Sequence, residues 1–341
     1  CIGSNIFYHV YDNEIVRAVP KENNEINQTW ISDRDRFGYQ GIYSEDRCRT
    51  SQQKLNGQLI EIEKQSILTA LNQQISENVS KYSPESVGCF ISPQSTSEEM
   101  YLFQKLLRKL GINNIDHRTN EQDFTYQESY PVMPSLGTNL NNLHEFDNII
   151  LIGVNIKTEF PILTVRFNDA VKKNTDIYSY HFINMPEDFA VKKNFVMNNS
   201  DLLSVFQDHS LESCRGKKNL LIIGPNITYF YNQSLFLQSI EAFASNINAT
   251  VGYLTDFCNS TSGWILGNVP HRLPGGTVIH QSDLTSNYEL LNDTDELLVI
   301  YNLEPEYDFS DDNQILEKLK KSKANIFFSS YMTESINKYA D

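Results

Sequence analysis

Asn148-Ile149-Ile150-Leu151-Ile152-Gly153-Val154-Asn155-Ile156-Lys157-Thr158-Glu159-Phe160-Pro161 reads as a buried strand, a glycine turn and the start of a helix. Ile149 to Ile152 is a continuous apolar run, too short for a helix. A strand with one wet face alternates polar and apolar residues, so a continuous run belongs to a strand covered on both faces. Thr158 stands as the expected cap of the following helix, and Pro161 suits a first turn, where a missing N–H costs nothing. The same cadence returns on either side. Val87–Ile91, Asn219–Gly224, Glu296–Tyr301 and Asn325–Phe328 are further short apolar strands. Between them, Ile67, Leu68, Leu71, Ile75 and Val79 recur at helical spacing, and further helices are expected over Leu235–Phe243 and Ile315–Leu319. Another helix opens at Thr96, with Glu99 completing a capping box; Leu102, Phe103, Leu106, Leu107 and Leu110 form its apolar face, and Gly111 closes it. Strands separated by helices predict an α/β fold with parallel sheets and helices on both faces.

The first sixty residues differ. Ile6, Tyr8 and Val10, the polar pair Asp12-Asn13, then Ile15, Val16 and Val19 form a hairpin pattern. Residues 20–60 are polar and irregular, with a short strand expected over Leu59–Ile62. The reading is therefore a small β-rich lobe at 1–60 followed by α/β lobes over 61–341. The polar stretch Asn174–Gly216 is expected to be an elaborated connection, with the boundary between the later lobes near it.

The chain has 341 residues and a formal net charge of −15. That balance argues against nucleic acid, whose phosphates demand clustered Lys and Arg, and against an anionic membrane surface. A spanning helix needs about 20 apolar residues, and no run approaches this, so direct membrane insertion is not expected. The opening Cys1-Ile2-Gly3-Ser4 shows neither a signal peptide nor a start Met, and the chain is expected to be a piece of a longer one. Cys1, Cys48, Cys89, Cys214 and Cys258 are widely spaced, without a CxxC pair, which points to a reducing compartment rather than a disulfide framework or zinc site.

Several local motifs carry possible chemistry. Gly153-Val154-Asn155 and Gly224-Pro225-Asn226 follow strands, where open α/β sheets bind ligands, but neither is a GxGxxG or P-loop, and a tight turn is the plainer reading. Asp116-His117-Arg118 offers a His beside an Asp, yet no nucleophile has a matching context, so a solvated or hydrogen-bonded loop is expected. His271-Arg272, between Pro270 and Pro274-Gly275-Gly276, reads as structural punctuation. Asp311-Asp312 and the Asp293/Asp295 pair lack a cation-loop signature, and capping or solvation explains them.

One set of segments goes further. Asp33-Arg34-Asp35-Arg36-Phe37-Gly38-Tyr39 with Glu45-Asp46-Arg47, then Gly88–Glu99, Leu110–Arg118, Ile152–Pro161, Asn259–Pro270 and the terminal Tyr339-Ala340-Asp341, resemble successive blocks of the molybdopterin oxidoreductase superfamily. Within it, they are most similar to the large iron–sulfur subunits of NADH:quinone oxidoreductase, respiratory complex I. The resemblance implies a fold used as the C-terminal part of that subunit, behind a part that carries electron-transfer clusters.

The superfamily's cluster motif, C-x2-C-x3-C-x27-C, can be laid on this chain by that resemblance. Asp33 and Arg36-Phe37-Gly38 put the fourth ligand at Ser32 and the third at Ser4; taking Cys1 as the third instead puts the fourth at Thr29. Both registers lack thiolates, which iron clusters need, so Ser4 and Ser32 read as degenerate iron–sulfur positions. The segment matching the molybdenum-ligand block, His117-Arg118-Thr119-Asn120-Glu121-Gln122-Asp123, offers no soft ligand. The expectation is a segment with no catalytic, cofactor-binding or metal residues of its own, its parent's iron–sulfur clusters lying upstream. It would be a non-catalytic structural domain of the complex I peripheral arm, docked to other arm subunits, including the NADH-binding flavin subunit, on the cytoplasmic side of a bacterial inner membrane. The rival readings are an active formate-dehydrogenase-like molybdoenzyme and a free-standing soluble binding module.

Overall fold

A computed structural model describes residues 2–197, 206, 209–230, 232–279 and 296–341. The chain forms two compact units, each assembled from two separate stretches: Cys1–Ile42 with Pro134–Cys258, and Tyr43–Met133 with Asn259–Asp341.

The first unit opens with an antiparallel hairpin, β1 (Ile6–Tyr11) and β2 (Glu14–Pro20). Its turn residues Asp12 and Asn13 both have positive φ (50° and 64°). Asp and Asn tolerate that region, and a turn of this kind matches the right-handed twist of paired strands. A short helix, α1 (Asp33–Phe37), follows. The unit's main sheet is built from β7 (Asn148–Ile152), β8 (Asp176–His181), β9 (Lys193–Val196), β10 (Asn219–Ile223) and β11 (Ala249–Tyr253). It is parallel, in the order β11-β10-β7-β8-β9. Every residue of β7 and β10 is buried, as a strand covered on both faces requires. Ile149, Leu151, Leu163, Phe167, Ile177, Leu220 and Ile222 share one core.

Two expectations change here. Thr158 caps nothing: it lies inside α4 (Ile156–Glu159), whose cap is Asn155, and the Thr158 N–H donates to Asn155 Oδ1 (3.3 Å). The longer helix, α5 (Pro161–Lys172), starts afresh because Phe160 leaves the helical region (φ −133°, ψ 52°). A residue before proline is pushed out of the α region by the ring. The stretch after Asn174 is not only a connection either, since it contains β8 and β9. Helix α6 (Gln233–Asn246) then leads into β11.

The second unit begins with the hairpin β3 (Ser51–Leu55) and β4 (Gln58–Ile62), followed by helix α2 (Lys64–Lys81). Its parallel sheet is built from β5 (Val87–Ile91), β6 (Ile115–Asp116), β12 (Leu297–Tyr301) and β13 (Ala324–Phe328), in the order β13-β12-β5-β6. Helix α3 (Ser97–Lys109) carries the full capping box: Thr96 Oγ1 accepts from the Glu99 N–H (3.2 Å), and Glu99 Oε2 accepts from the Thr96 N–H (2.8 Å). Gly111, just past its end, has φ +83°, the left-handed geometry that ends helices. Helix α7 (Ser260–Ile265) and the helix Asp312–Lys321 complete the cover, the latter capped by Asp311 through the Gln314 N–H. Asp293 and Asp295 lie outside the described residues.

Candidate functional site

Ser4 and Ser32 meet on one atom. Ser32 is the N-cap of α1, and its hydroxyl accepts from the Asp35 N–H (3.1 Å) while donating to Asp35 Oδ2 (2.5 Å). Ser4 Oγ donates to that same carboxylate oxygen. Burial works against the charge of Asp35, but hydrogen bonds from Ser32 and Ser4 lead the effects that hold its carboxyl below the ordinary range. The preceding loop is pinned from α5. Arg166 donates to the carbonyls of Ile26 (2.9 Å) and Asn24 (2.7 Å), and Gln28 Nε2 donates to Asp169 (2.9 Å). Thr29, the other register's choice, is exposed, and Cys1 lies outside the described residues. Motif spacing gives Asp35 no role. The signal that could have found it is its place three residues after a Ser cap.

At the carboxyl ends of β7 and β10 the two glycine turns close on each other. A Cβ on Gly224 would stand 2.3 Å from the Gly153 carbonyl oxygen and 2.4 Å from Val154 Cβ. One on Gly153 (φ +64°) would meet Ile227 at 2.8 Å and Phe182 at 2.9 Å. These glycines admit close backbone and side-chain approach within the protein, not a phosphate. The end of β8 carries a trio that sequence reasoning misses. His181 Nε2 lies 3.1 Å from Glu187 Oε1, and Ser179 Oγ is 2.8 Å from His181 Nε2 and 2.9 Å from Glu187 Oε1. The acid and the serine share one ring nitrogen, whereas a hydrolytic triad uses opposite nitrogens. Their alternation along β8 was the only signal, and it placed Ser179 and His181 on one face.

In the second unit, Asp116, His117 and Arg118 are all buried. Arg118 forms a two-toothed pair with Asp116 (Nη2–Oδ2 2.7 Å, Nε–Oδ1 3.0 Å) and approaches Glu121 at 3.4 Å. Burial opposes its charge, yet Asp116 and Glu121 outweigh that and raise its pKa. Its guanidinium also lies over Phe124 (4.6 Å) and over Trp264 of α7 (5.2 Å). Arg272 faces Trp264 as well (5.6 Å) and donates to the carbonyls of Gln127, Glu128 and Tyr130. His117 Nδ1 contacts the Asn268 carbonyl (2.9 Å), and burial pushes its pKa down to about 4. His271 is lowered to about 3, first by burial and then by Arg118 and Arg272. Both imidazoles are neutral at neutral pH. His117 reaches its place because residue 263 is glycine: a Cβ there would stand 2.5 Å from the ring. Arg108 of α3 donates to the carbonyls of Gly267, Val269 and Arg272 and so ties down the His271 loop.

Residues 47–341 match the Molybdopterin oxidoreductase family profile. The chain belongs to the molybdopterin oxidoreductase family. Residues 1–40 match a second profile, described as NADH-ubiquinone oxidoreductase NDSU1/NuoG-like, 4Fe-4S domain. Relatives of this family member include an NADH-quinone oxidoreductase subunit of Rickettsia felis, 28% identical over 170 residues, covering 50% of this chain and 24% of that protein. The NADH-ubiquinone oxidoreductase 75 kDa subunit of Reclinomonas americana is 28% identical over 249 residues, covering 66% of this chain and 34% of that one. The F420-dependent formate dehydrogenase 1 subunit alpha of Methanococcus maripaludis is 27% identical over 179 residues, 51% of this chain and 26% of that one. The matches thus span about a quarter to a third of these relatives' lengths. Among solved structures, acetylene hydratase from Pelobacter acetylenicus covers 98% of this chain and 60% of its own, with a TM-score of 0.53 and 9% identity, a likeness of fold.

The groups implied by these family names can be tested against the side chains present. Iron clusters take thiolates, but the hydroxyls of Ser4 and Ser32 are both spent on Asp35. Among the described residues, no three His, Cys, Asp or Glu side chains are grouped to hold a metal. Cys48, Cys89, Cys214 and Cys258 are free thiols, with Cys89 and Cys214 buried in separate units. A molybdenum–pterin group likewise finds no soft ligand in His117–Asp123, where the Arg118 cation is committed to Asp116 and Glu121. Among the described residues, the side chains at these positions fit neither group.

Proposed function

We propose that this chain is a non-catalytic structural part of the peripheral arm of NADH:quinone oxidoreductase, respiratory complex I, within the subunit that relays electrons from NADH toward quinone. The carrying observation is the tandem match: an NDSU1/NuoG-like profile over residues 1–40, followed by the molybdopterin oxidoreductase profile over 47–341. In this reading residues 1–60 are a β-rich segment, divided between the two compact units, with its cluster ligands lost, and 61–341 supply α/β structure kept for shape. Electron-transfer clusters belong to an upstream part of the parent chain. The partners are other arm subunits, including the NADH-binding flavin subunit, on the cytoplasmic side of a bacterial inner membrane. Among the described residues no helix is long and apolar enough to cross a membrane, which supports peripheral attachment.

A formate-dehydrogenase-like molybdoenzyme is the second reading, favoured by the Methanococcus relative. Against it stands the lack of a soft ligand in the His117–Asp123 segment. The test is to tag the chain in its native host, solubilise membranes gently and separate complexes on a native gel. Co-migration with NADH dehydrogenase activity and the flavin subunit is expected. A chain found only as a free soluble species, or one holding stoichiometric molybdenum, overturns the proposal.

A further inference from the structure

We infer that Asp35 has taken over the work of an iron–sulfur cluster in residues 1–40, joining positions 4 and 32 through hydrogen bonds, so that this segment matches a 4Fe–4S domain yet holds no cluster. The inference rests on the match of residues 1–40 and on side-chain geometry. It does not depend on the assembly proposed above.

A bound cluster is a cross-link as well as a redox group, because ligands distant in sequence are fixed on one metal core and the binding energy becomes folding energy. A chain that gives up the ligands must hold the same segments together otherwise. Here the two positions that the motif spacing assigns to the third and fourth ligands converge on a single atom, Asp35 Oδ2. The donor arithmetic closes. Each serine hydroxyl has one proton and gives it to the carboxylate, and the lone pair left on Ser32 Oγ accepts the Asp35 N–H. Hydrogen bonds to a charged acceptor are the stronger kind. The knot has a buried setting: Ser32 is 4% exposed, and neighbouring Asn27, 1% exposed, donates to the carbonyls of Lys21 (3.0 Å) and Trp30 (2.9 Å). The loop between the two serines is therefore fixed at its ends by the Ser–Asp–Ser knot and along its length by Asn27 and Arg166. The same carboxylate disfavours metal capture. A thiol placed beside it would be harder to ionise, since a neighbouring negative charge raises a thiol's pKa.

Two measurements on the full chain test this. In the first, the purified chain is incubated anaerobically with ferrous iron, sulfide and a thiol reductant, desalted, and assayed for iron, sulfide and visible absorbance. Iron no higher than in the Ser4→Ala/Ser32→Ala variant is expected; stoichiometric iron and sulfide with the visible band of a thiolate cluster, absent from that variant, overturns the inference. In the second, urea unfolding is compared for wild type, Ser4→Ala, Ser32→Ala, Asp35→Asn and the two pairings with Asp35→Asn. Each serine change is expected to lower the folding constant about 10- to 100-fold, and to cost far less once Asp35 is already Asn. Full additivity in both cycles overturns the role given to Asp35. If Asp35→Asn does not fold, Ser4→Ala supplies the readout, and an unchanged folding constant there is equally fatal.

Discussion

Replacing Arg118 by Leu is the sharpest test of the polar knot in the second unit. Its side chain is 3% exposed, that of Asp116 is 0% exposed and that of Glu121 is 8% exposed. Leu fills part of the volume but removes the cation that pairs with Asp116 and Glu121, two carboxylates held out of water. Breaking a buried pair from one side costs about 3–5 kcal/mol. Loss of the stacking over Phe124 and Trp264 adds roughly 0.5–2 kcal/mol. Against a total stability of about 5–15 kcal/mol for a typical domain, that is roughly a quarter or more of what the unit has. The expected result is therefore a large fall in the urea midpoint of the transition reported by Trp264, 5.2 Å from the Arg118 guanidinium. Changing Asp116 to Asn in the same chain should return part of the loss, because one stranded charge is gone. A change under about 1 kcal/mol for Arg118→Leu alone, the scale of an exposed ion pair, would refute the burial argument.

Three further outcomes follow from the same physics. Acid should destabilise the second unit before carboxylates titrate. His117 and His271 have folded pKa values of about 4 and about 3, below the unfolded value of 6.5, so the unfolded chain binds more protons and stability present above pH 6.5 is lost as pH falls. At about 1.4 kcal/mol per pK unit, His117 alone withdraws about 3 kcal/mol by pH 4, and His117→Gln should flatten urea midpoints measured from pH 7 to 4. Gly224→Ala should cost at least about 1–3 kcal/mol by overpacking, because the new methyl meets backbone at Gly153 rather than a flexible tip; a thermal melt within error of wild type would contradict it. Thr96→Ala should cost about 0.5–2 kcal/mol in chemical unfolding, while Ser97→Ala, one residue on, should cost clearly less.

Besides the exposed hairpin β1–β2 and strand β4, the strands legible in the sequence were apolar runs buried in the parallel sheets. Val87–Ile91 appears with the expected bounds, and β7 and β10 differ from expectation only at their terminal glycines. The strand β8 was hidden because its buried face carries Ser179 and His181, whose polarity reads as loop until Glu187 is seen to satisfy them. Hairpin strand β3 was hidden for a different reason: Ser51-Gln52-Gln53-Lys54 has no apolar face, and its pairing with β4 supplies the order. The Thr158 cap failed on a competition that spacing cannot rank, since Asn155 caps first and Pro161 resets the backbone at Phe160. At the site, motif spacing was enough to name Ser4 and Ser32. It could not say what they touch, because Asp35 matters through a shared oxygen rather than a pattern.

The pairing of β5 with β12 has a consequence for synthesis. Cys89 lies beside Val299, and everything in between, including the greater part of the other unit, must leave the ribosome first. At about 5–20 residues per second, the interval between those two residues is roughly 10–40 s. For that time β5, buried throughout in the finished protein, has β6 on one edge and an open apolar ladder on the other. A nascent chain that must leave such an edge unpaired is a natural client for chaperones that shield strands.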